Sequence, residues 1–309
     1  MGVPDTLNRG VLFLLDKPAG LTSHDVVERA RRTTGLARIG HSGTLDPMAT
    51  GLLLLCAGGA ARLQGFFTGM DKTYEGVIRL GQATSTYDRE GQPVGSARDT
   101  SAISPGEVES VARAFRGEFQ QSPPPYSAKK VGGRKFYEMA RKGESVPVVP
   151  KKVRVSQLDL GGLENGRLPF VLSCSSGTYV RSIAHELGEK LGCGAHLESL
   201  RRTAIGEFRI ENAVALERFE AMTPQERLAP PHAIPLSRVP FPFERIRLAS
   251  LEAWKVRKGQ PIPARGIAAQ EGAWVALVGP ADEMLALGQV TPIGRGPVSL
   301  IKPKIVLTH

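Results

Sequence analysis

Arg38-Ile39-Gly40-His41-Ser42-Gly43-Thr44-Leu45-Asp46-Pro47-Met48-Ala49-Thr50-Gly51 is the densest stretch of turn chemistry in this chain. Gly40, Gly43, Pro47 and Gly51 make it a loop, and loops mounted on a rigid scaffold commonly carry function. Pro47 holds Asp46 out of the helical region. Asp46 then has two readings. Its carboxylate caps the turn or helix that begins at Pro47. Alternatively, flanked by apolar residues and beside His41, it is a nucleophile or an acid–base group.

The flanking segments describe the mounting. Val11 to Leu15 reads as a short apolar strand that runs into the turn Asp16-Lys17-Pro18-Ala19-Gly20. Thr22 or Ser23 then caps a helix to about Thr34, which Gly35 ends. Leu52 to Ala57 is a buried strand or a buried helix, which periodicity does not separate. Tyr74 to Leu80 alternates and is a predicted strand. Ser104-Pro105-Gly106-Glu107 is a capping box with proline at the first helical position, starting a helix to about Arg116. Val153 to Leu160 and Leu168 to Ser173 are predicted strands, and a helix follows from about Tyr179 to Leu191, closed by Gly192. Six prolines between residues 224 and 242 read as a linker. The class is α+β, with a larger unit over residues 1–240 and a small β-rich module over 244–309.

Composition bounds the function. The chain has 309 residues, of which 41% are hydrophobic, too many for a disordered chain. Its longest apolar run, Leu52 to Ala57, is far short of the roughly 20 residues a membrane helix needs. Asp5 and Asp16 around a five-residue apolar run do not make a signal peptide. Cys56, Cys174 and Cys193 are an odd number without a C-x-x-C pair, which argues against a disulfide framework and fits a reducing cytoplasm. Cys193, His196 and Cys174 fall short of the four spaced ligands of a zinc site, so no metal is expected. P-loop and dinucleotide-binding glycine motifs are missing, and Gly40-His41-Ser42-Gly43-Thr44 fails the nucleophile-elbow spacing at its last position.

Charge points to a partner. Lys and Arg total 40 against 30 Asp and Glu. Residues 129–154 alone hold nine cations (Lys129, Lys130, Arg134, Lys135, Arg141, Lys142, Lys151, Lys152 and Arg154) against Glu138 and Glu144. Tyr126, Phe136 and Tyr137 lie nearby, and cations interleaved with flat rings suit a looped or single-stranded nucleic acid.

At this point five ordered segments resemble the pseudouridine synthases, in the branch that modifies position 55 in the T loop of transfer RNA. Gly40–Gly51 resembles the catalytic loop with its aspartate, and Leu15–Gly20 is similar to the N-terminal Lys-Pro motif. Asp71-Lys72-Thr73-Tyr74 resembles the segment with the active-site tyrosine. Pro125–Lys129 is similar to the start of an RNA-gripping insertion, here about residues 122–154. Ser176–Ser182 resembles the third motif, followed by Leu200-Arg201-Arg202. The resemblance implies a catalytic domain on a mixed or antiparallel sheet and a small barrel-like RNA-binding module at the C-terminus. It implies isomerisation of uridine to pseudouridine with base flipping, without cofactor or metal.

Asp46 is then the catalytic carboxylate, attacking sugar or base or drawing a sugar proton. Arg181 pairs with it, and Tyr74 stacks on the uracil. The resemblance also implies that Tyr179 and Leu200 line the base pocket, where they are equally readable as packing residues, that His41 helps flip the uridine or fills the space it leaves, and that Lys17 braces the loop. Lys129, Lys130, Arg134 and Lys135 are the expected RNA contacts. Transfer RNA is the expected partner of a monomer that needs no membrane and no second protein. Two other readings share the basic surface: a subunit dependent on a guide RNA, and a transfer-RNA folding chaperone. The set Asp46, Tyr74 and Arg181 favours an enzyme.

Overall fold

The structure, a computed structural model, describes residues 10–125, 130–131, 134–135, 149–265, 270–292 and 298–307. Strand β1 (Val11–Lys17) leads to helix α1 (Ser23–Thr34), then to strands β2 (Ile39–His41) and β3 (Thr50–Ala57). Helix α2 (Gln64–Gly69), strand β4 (Lys72–Leu80) and the small pair β5 (Ala83–Thr84) and β6 (Pro93–Val94) follow. Helix α3 (Pro105–Ala112) precedes β7 (Gly117–Gln121) and the two-stranded pair β8 (Lys130–Val131) and β9 (Arg134–Lys135). Next come β10 (Lys151–Leu160), β11 (Arg167–Cys174), helix α4 (Val180–Lys190) and β12 (Ala195–Ile205). Short segments β13 (Phe208–Arg209), β14 (Val214–Ala215), α5 (Leu216–Ala221), α6 (Pro224–Arg227) and β15 (Ala233–Pro235) complete the first body. The rest is β16 (Glu244–Arg247), α7 (Ser250–Arg257), β17 (Ile262–Arg265), β18 (Trp274–Val278), β19 (Met284–Pro292) and β20 (Val298–Val306).

The first body is an α+β unit on a mixed sheet in the order β14-β1-β3-β12-β4-β11-β10-β7, with β2, β13 and β15 attached to its members. Pairings β1–β14 and β3–β12 are parallel, and the rest of that path is antiparallel. The ambiguous run 52–57 is a strand, and the reason for the ambiguity is visible. Leu52, Leu54 and Cys56 enter one core with Phe67 and Phe208, whereas Leu53, Leu55 and Ala57 enter another with Val26, Val27 and Ala30 of α1. With both faces covered, the alternation that marks a strand disappears from the sequence.

Helix α1 starts at a capping box. The Asp25 amide donates to the Thr22 hydroxyl at 3.1 Å and the Thr22 amide to the Asp25 carboxylate at 2.8 Å. It ends at Gly35, whose φ of 72° only glycine adopts at little cost. Helix α3 is shorter than expected: regular geometry stops at Ala112 and one 3₁₀ turn, Arg113–Phe115, finishes it.

The proline-rich stretch is not a free linker. Ala233–Pro235 pairs antiparallel with β1, Leu236 and Val239 are buried, and Phe241 and Phe243 sit 5.6 and 5.1 Å from the Phe66 ring. Pro235 ends this edge strand, where a missing amide donor costs little, and Pro224 opens α6, where the first amides have no helical partner. The second sheet runs β16-β18-β19-β20-β17, with Val275, Leu277, Leu285 and Ile301 packed on Ala253 and Val256 of α7. Ala276, Met284 and Leu287 face the other way and join the core around Phe67. Among the described residues no helix is long and apolar enough to cross a membrane.

Candidate active site

The loop between β2 and β3 is pinned on both sides of Asp46. Leu45, Met48 and Ala49 are buried in the core beneath β4, β12 and α4. The Leu45 amide donates to the Ser23 hydroxyl at 2.8 Å, and that hydroxyl returns a bond to the Leu45 carbonyl at 3.2 Å. Lys17 is fully buried and its ammonium meets three carbonyls, Pro18, Leu21 and Pro47, at 2.9, 2.6 and 3.3 Å. Its three protons are thereby satisfied, although burial pushes its pKa down to about 8 against the opposing pull of Asp46. At Gly51, with φ of 102°, a Cβ would lie 2.3 Å from the Arg202 carbonyl oxygen, so only glycine lets β3 approach β12 here.

Held in this way, the Asp46 carboxylate meets Arg181 rather than acting as a cap. Arg181 Nε lies 2.9 Å from Asp46 Oδ2 and donor Nη2 lies 3.1 Å from Oδ1, a bidentate pair. The first turn of α4 presents the arginine, and its remaining nitrogen Nη1 donates to Asp88 Oδ2 at 3.1 Å and to the Thr86 carbonyl at 3.2 Å. Burial raises the Asp46 pKa above the ordinary carboxylate range, Arg181 opposes the rise, and Asp88 adds to it. The result is a carboxylate more basic than usual and fixed in orientation.

A second arginine stands on the other side. Arg202 of β12 is 1% exposed and donates from Nε to the Leu52 carbonyl at 2.7 Å and from Nη2 to the Gly43 carbonyl at 3.1 Å. Tyr74 of β4 is its register partner, and the Arg202 charge opposes the rise that burial imposes on the Tyr74 phenol. Burial keeps the Tyr74 phenol protonated, its pKa raised, with Asp46 adding to the rise. His41 is half-buried and pushed toward the neutral form, first by burial and then by Arg202, with the Gly43 backbone pulling the other way. Its Nδ1 and the buried Ser42 hydroxyl have no hydrogen-bond partner among the described residues.

Of the expected site residues, Asp46 and Arg181 are in direct contact, Tyr74 lies within electrostatic reach of Asp46, and His41 neighbours Arg202 and the Gly43 backbone. Tyr179 caps α4 two residues before Arg181, its amide donating to Gln121 Oε1 at 2.8 Å and its carbonyl accepting from Gln121 Nε2 at 3.0 Å. Leu200 lines a neighbouring cleft of about 450 Å³ with Met48, Thr50, Gly76 and Arg201. Lys129 lies outside the described residues. Lys130, Arg134 and Lys135 belong to the β8–β9 pair, whose backbone alone is described. Three participants escape sequence reasoning. Asp88 sits in the turn Thr84-Ser85-Thr86-Tyr87-Asp88, whose turn-forming residues are a usable signal. Arg202 falls in the Leu200-Arg201-Arg202 segment that carries the resemblance but is given no role of its own by it, and Gln121 has no signal, because long polar side chains are seldom read as buried.

Comparison with known proteins identifies the family. Residues 31–180 match the TruB family pseudouridylate synthase N-terminal domain, and residues 181–246 match the tRNA pseudouridylate synthase B C-terminal domain. The tRNA pseudouridine synthase B of Solibacter usitatus is 42% identical over 280 residues, 90% of this chain and 95% of that protein. The protein of the same name from Opitutus terrae is 46% identical over 213 residues, 69% of this chain and 88% of its own. Among solved structures, an H/ACA RNP bound to a substrate RNA containing 2'-deoxyuridine includes a chain that aligns with a TM-score of 0.73 at 22% identity. The alignment covers 100% of this chain and 88% of that one, a likeness of fold. On these sequence matches the chain belongs to the TruB family of pseudouridylate synthases.

Proposed function

We propose that the chain converts the T-loop uridine at position 55 of transfer RNA to pseudouridine, with Asp46 as the nucleophile. Membership of the family makes it an isomerase of transfer-RNA uridine. The observation that supports the rest is the Asp46–Arg181 pair. The arginine side chain is 9% exposed behind the acid, whereas Asp46 keeps 31% of its side-chain surface open. The carboxylate therefore has one face locked and one face free for substrate.

The reaction breaks the N1–C1′ bond of uridine, turns the uracil and joins C5 to C1′. The C5 proton is released and N1 gains one, so nothing is oxidised and no outside atom is consumed. An ionised carboxylate of raised basicity supplies the transient bond to the substrate that this sequence needs. Arg181 keeps Asp46 ionised despite its burial. Tyr74, neutral and beside Arg202, offers a flat surface to the uracil. The base leaves its stack to reach a recessed carboxylate, and His41 and the Leu200 cleft receive it. The basic segment 129–154 and the tail 244–309 grip the RNA, and the enzyme acts in the cytoplasm as a monomer without an obligatory protein partner.

The test is tritium release from a transfer-RNA transcript labelled at uracil C5, incubated with the purified chain alone. Release of one equivalent per RNA, mapped to the T loop, is the expected result. Tight binding without release would contradict autonomous catalysis and favour dependence on a guide RNA or a chaperone role.

A further inference from the structure

Arg181 orients Asp46, and the turn that follows β5 orients Arg181. That turn is tightly made. The Thr84 hydroxyl donates to the Asp88 carbonyl at 2.7 Å, the Thr86 hydroxyl to Asp88 Oδ1 at 2.5 Å, and the Glu90 amide to the same oxygen at 3.0 Å. It also contains an anomaly. Tyr87 has φ of 66°, a left-handed conformation unusual for a bulky residue, which persists only where surroundings enforce it.

Two contacts enforce it. The Leu197 amide of β12 donates to the Tyr87 carbonyl at 2.9 Å. The Tyr87 ring lies flat on His185, with centroids 3.6 Å apart and planes 6° from parallel. His185 is four residues after Arg181 on α4, so both project from one face of that helix. Tyr87 and Asp88 are consecutive in the turn. Turn and helix are thus joined by two adjacent rungs: a ring stack at 87–185 and an ion pair at 88–181.

From this geometry we propose that the Tyr87–His185 stack is a positioning element of the active site. It fixes the separation of turn and helix at which Asp88 can hold Nη1 of Arg181 while Nε and Nη2 hold Asp46. Neither ring touches the reacting atoms. The stack borders a cleft of about 570 Å³, so loss of a ring widens a surface groove rather than leaving a sealed void. The inference rests on the proposed role of Asp46.

The experiment measures kcat, KM and thermal midpoint on unmodified transfer RNA for Tyr87→Gly, Tyr87→Phe, His185→Ala and Asp88→Asn. Tyr87→Gly removes the ring and tolerates the left-handed backbone. It is expected to lower kcat between about 10- and 100-fold, as small misplacements of catalytic groups do, with KM and midpoint little changed. Tyr87→Phe keeps the ring and restores kcat. The double variant Tyr87→Gly/Asp88→Asn is no slower than Asp88→Asn alone, because both changes release the same arginine. If Tyr87→Gly does not fold, His185→Ala carries the same comparison. A folded Tyr87→Gly or His185→Ala with wild-type kcat, or fully additive losses in the double variant, would overturn the proposal. Asp46→Asn assayed alongside separates the claims. Normal turnover there removes the role of Asp46, whereas a dead Asp46→Asn beside an active Tyr87→Gly removes only the role of the stack.

Discussion

Two nearly buried arginines flank the loop that carries Asp46, and they end on different chemistry. On the α4 side, Arg181 reaches the carboxylates of Asp46 and Asp88. On the β12 side, Arg202 reaches the carbonyls of Leu52 and Gly43 and sits opposite Tyr74 in register. Arg181 acts on a titrating group and opposes the burial that raises the Asp46 pKa. Arg202 ties the loop to two strands; burial is the main cause that lowers His41 and pushes Lys72 down to about 8, and the field of Arg202 adds to both. Lys17, on three carbonyls, resembles Arg202 in this respect. A buried cation facing carboxylates sets reactivity, and one facing carbonyls sets the path of the chain.

If that contrast holds, substitutions on the two sides separate rate from stability. Arg181→Met is expected to lower kcat about 1,000-fold, the scale of losing one preorganised charged donor, with transfer-RNA affinity retained. The pH profile sharpens this. If Asp46 acts ionised, as proposed, its pKa raised by burial is expected to make activity fall with decreasing pH earlier than an exposed aspartate dictates. Removing the opposing cation moves that acid limb to still higher pH, measurable from kcat against pH for both proteins.

Arg202→Met leaves two carbonyls without their donor and is expected to cost about 3 kcal/mol of stability in urea unfolding. A loss of rate without a loss of stability in this variant would erase the contrast. Lys17→Met gives the smallest effect, about 2 kcal/mol, because Pro18 and Leu21 lie near enough to the surface for water to replace part of what is lost.

The two sides also differ in how far the sequence discloses them. Loop 38–51, helix 23–34 with its Thr22 box and Gly35 stop, and the strand at 74–80 are written in local turn, cap and alternation signals. Asp46 is found there because glycine and proline punctuation surrounds a lone acid. Arg181 and Tyr74 come from resemblance, since an arginine early in a helix and a tyrosine on a strand carry no local mark of function. Arg202 and Gln121 act through register: Arg202 is opposite Tyr74, and Gln121 reaches across to the start of α4. Pairings of that range leave no trace in neighbouring residues. The stretch 224–242 misleads for a related reason, because prolines that suit a linker equally suit a covered sheet edge.

The most direct test of the account is single-turnover tritium release by Asp46→Asn from a C5-labelled transcript, with RNA affinity measured on the same preparation. The expected result is release slowed by at least about 10,000-fold, as for loss of a covalent nucleophile, with affinity changed by no more than about threefold. Release within a few-fold of wild type would contradict the central claim, because the Arg181-held carboxylate would then not be the group that reacts.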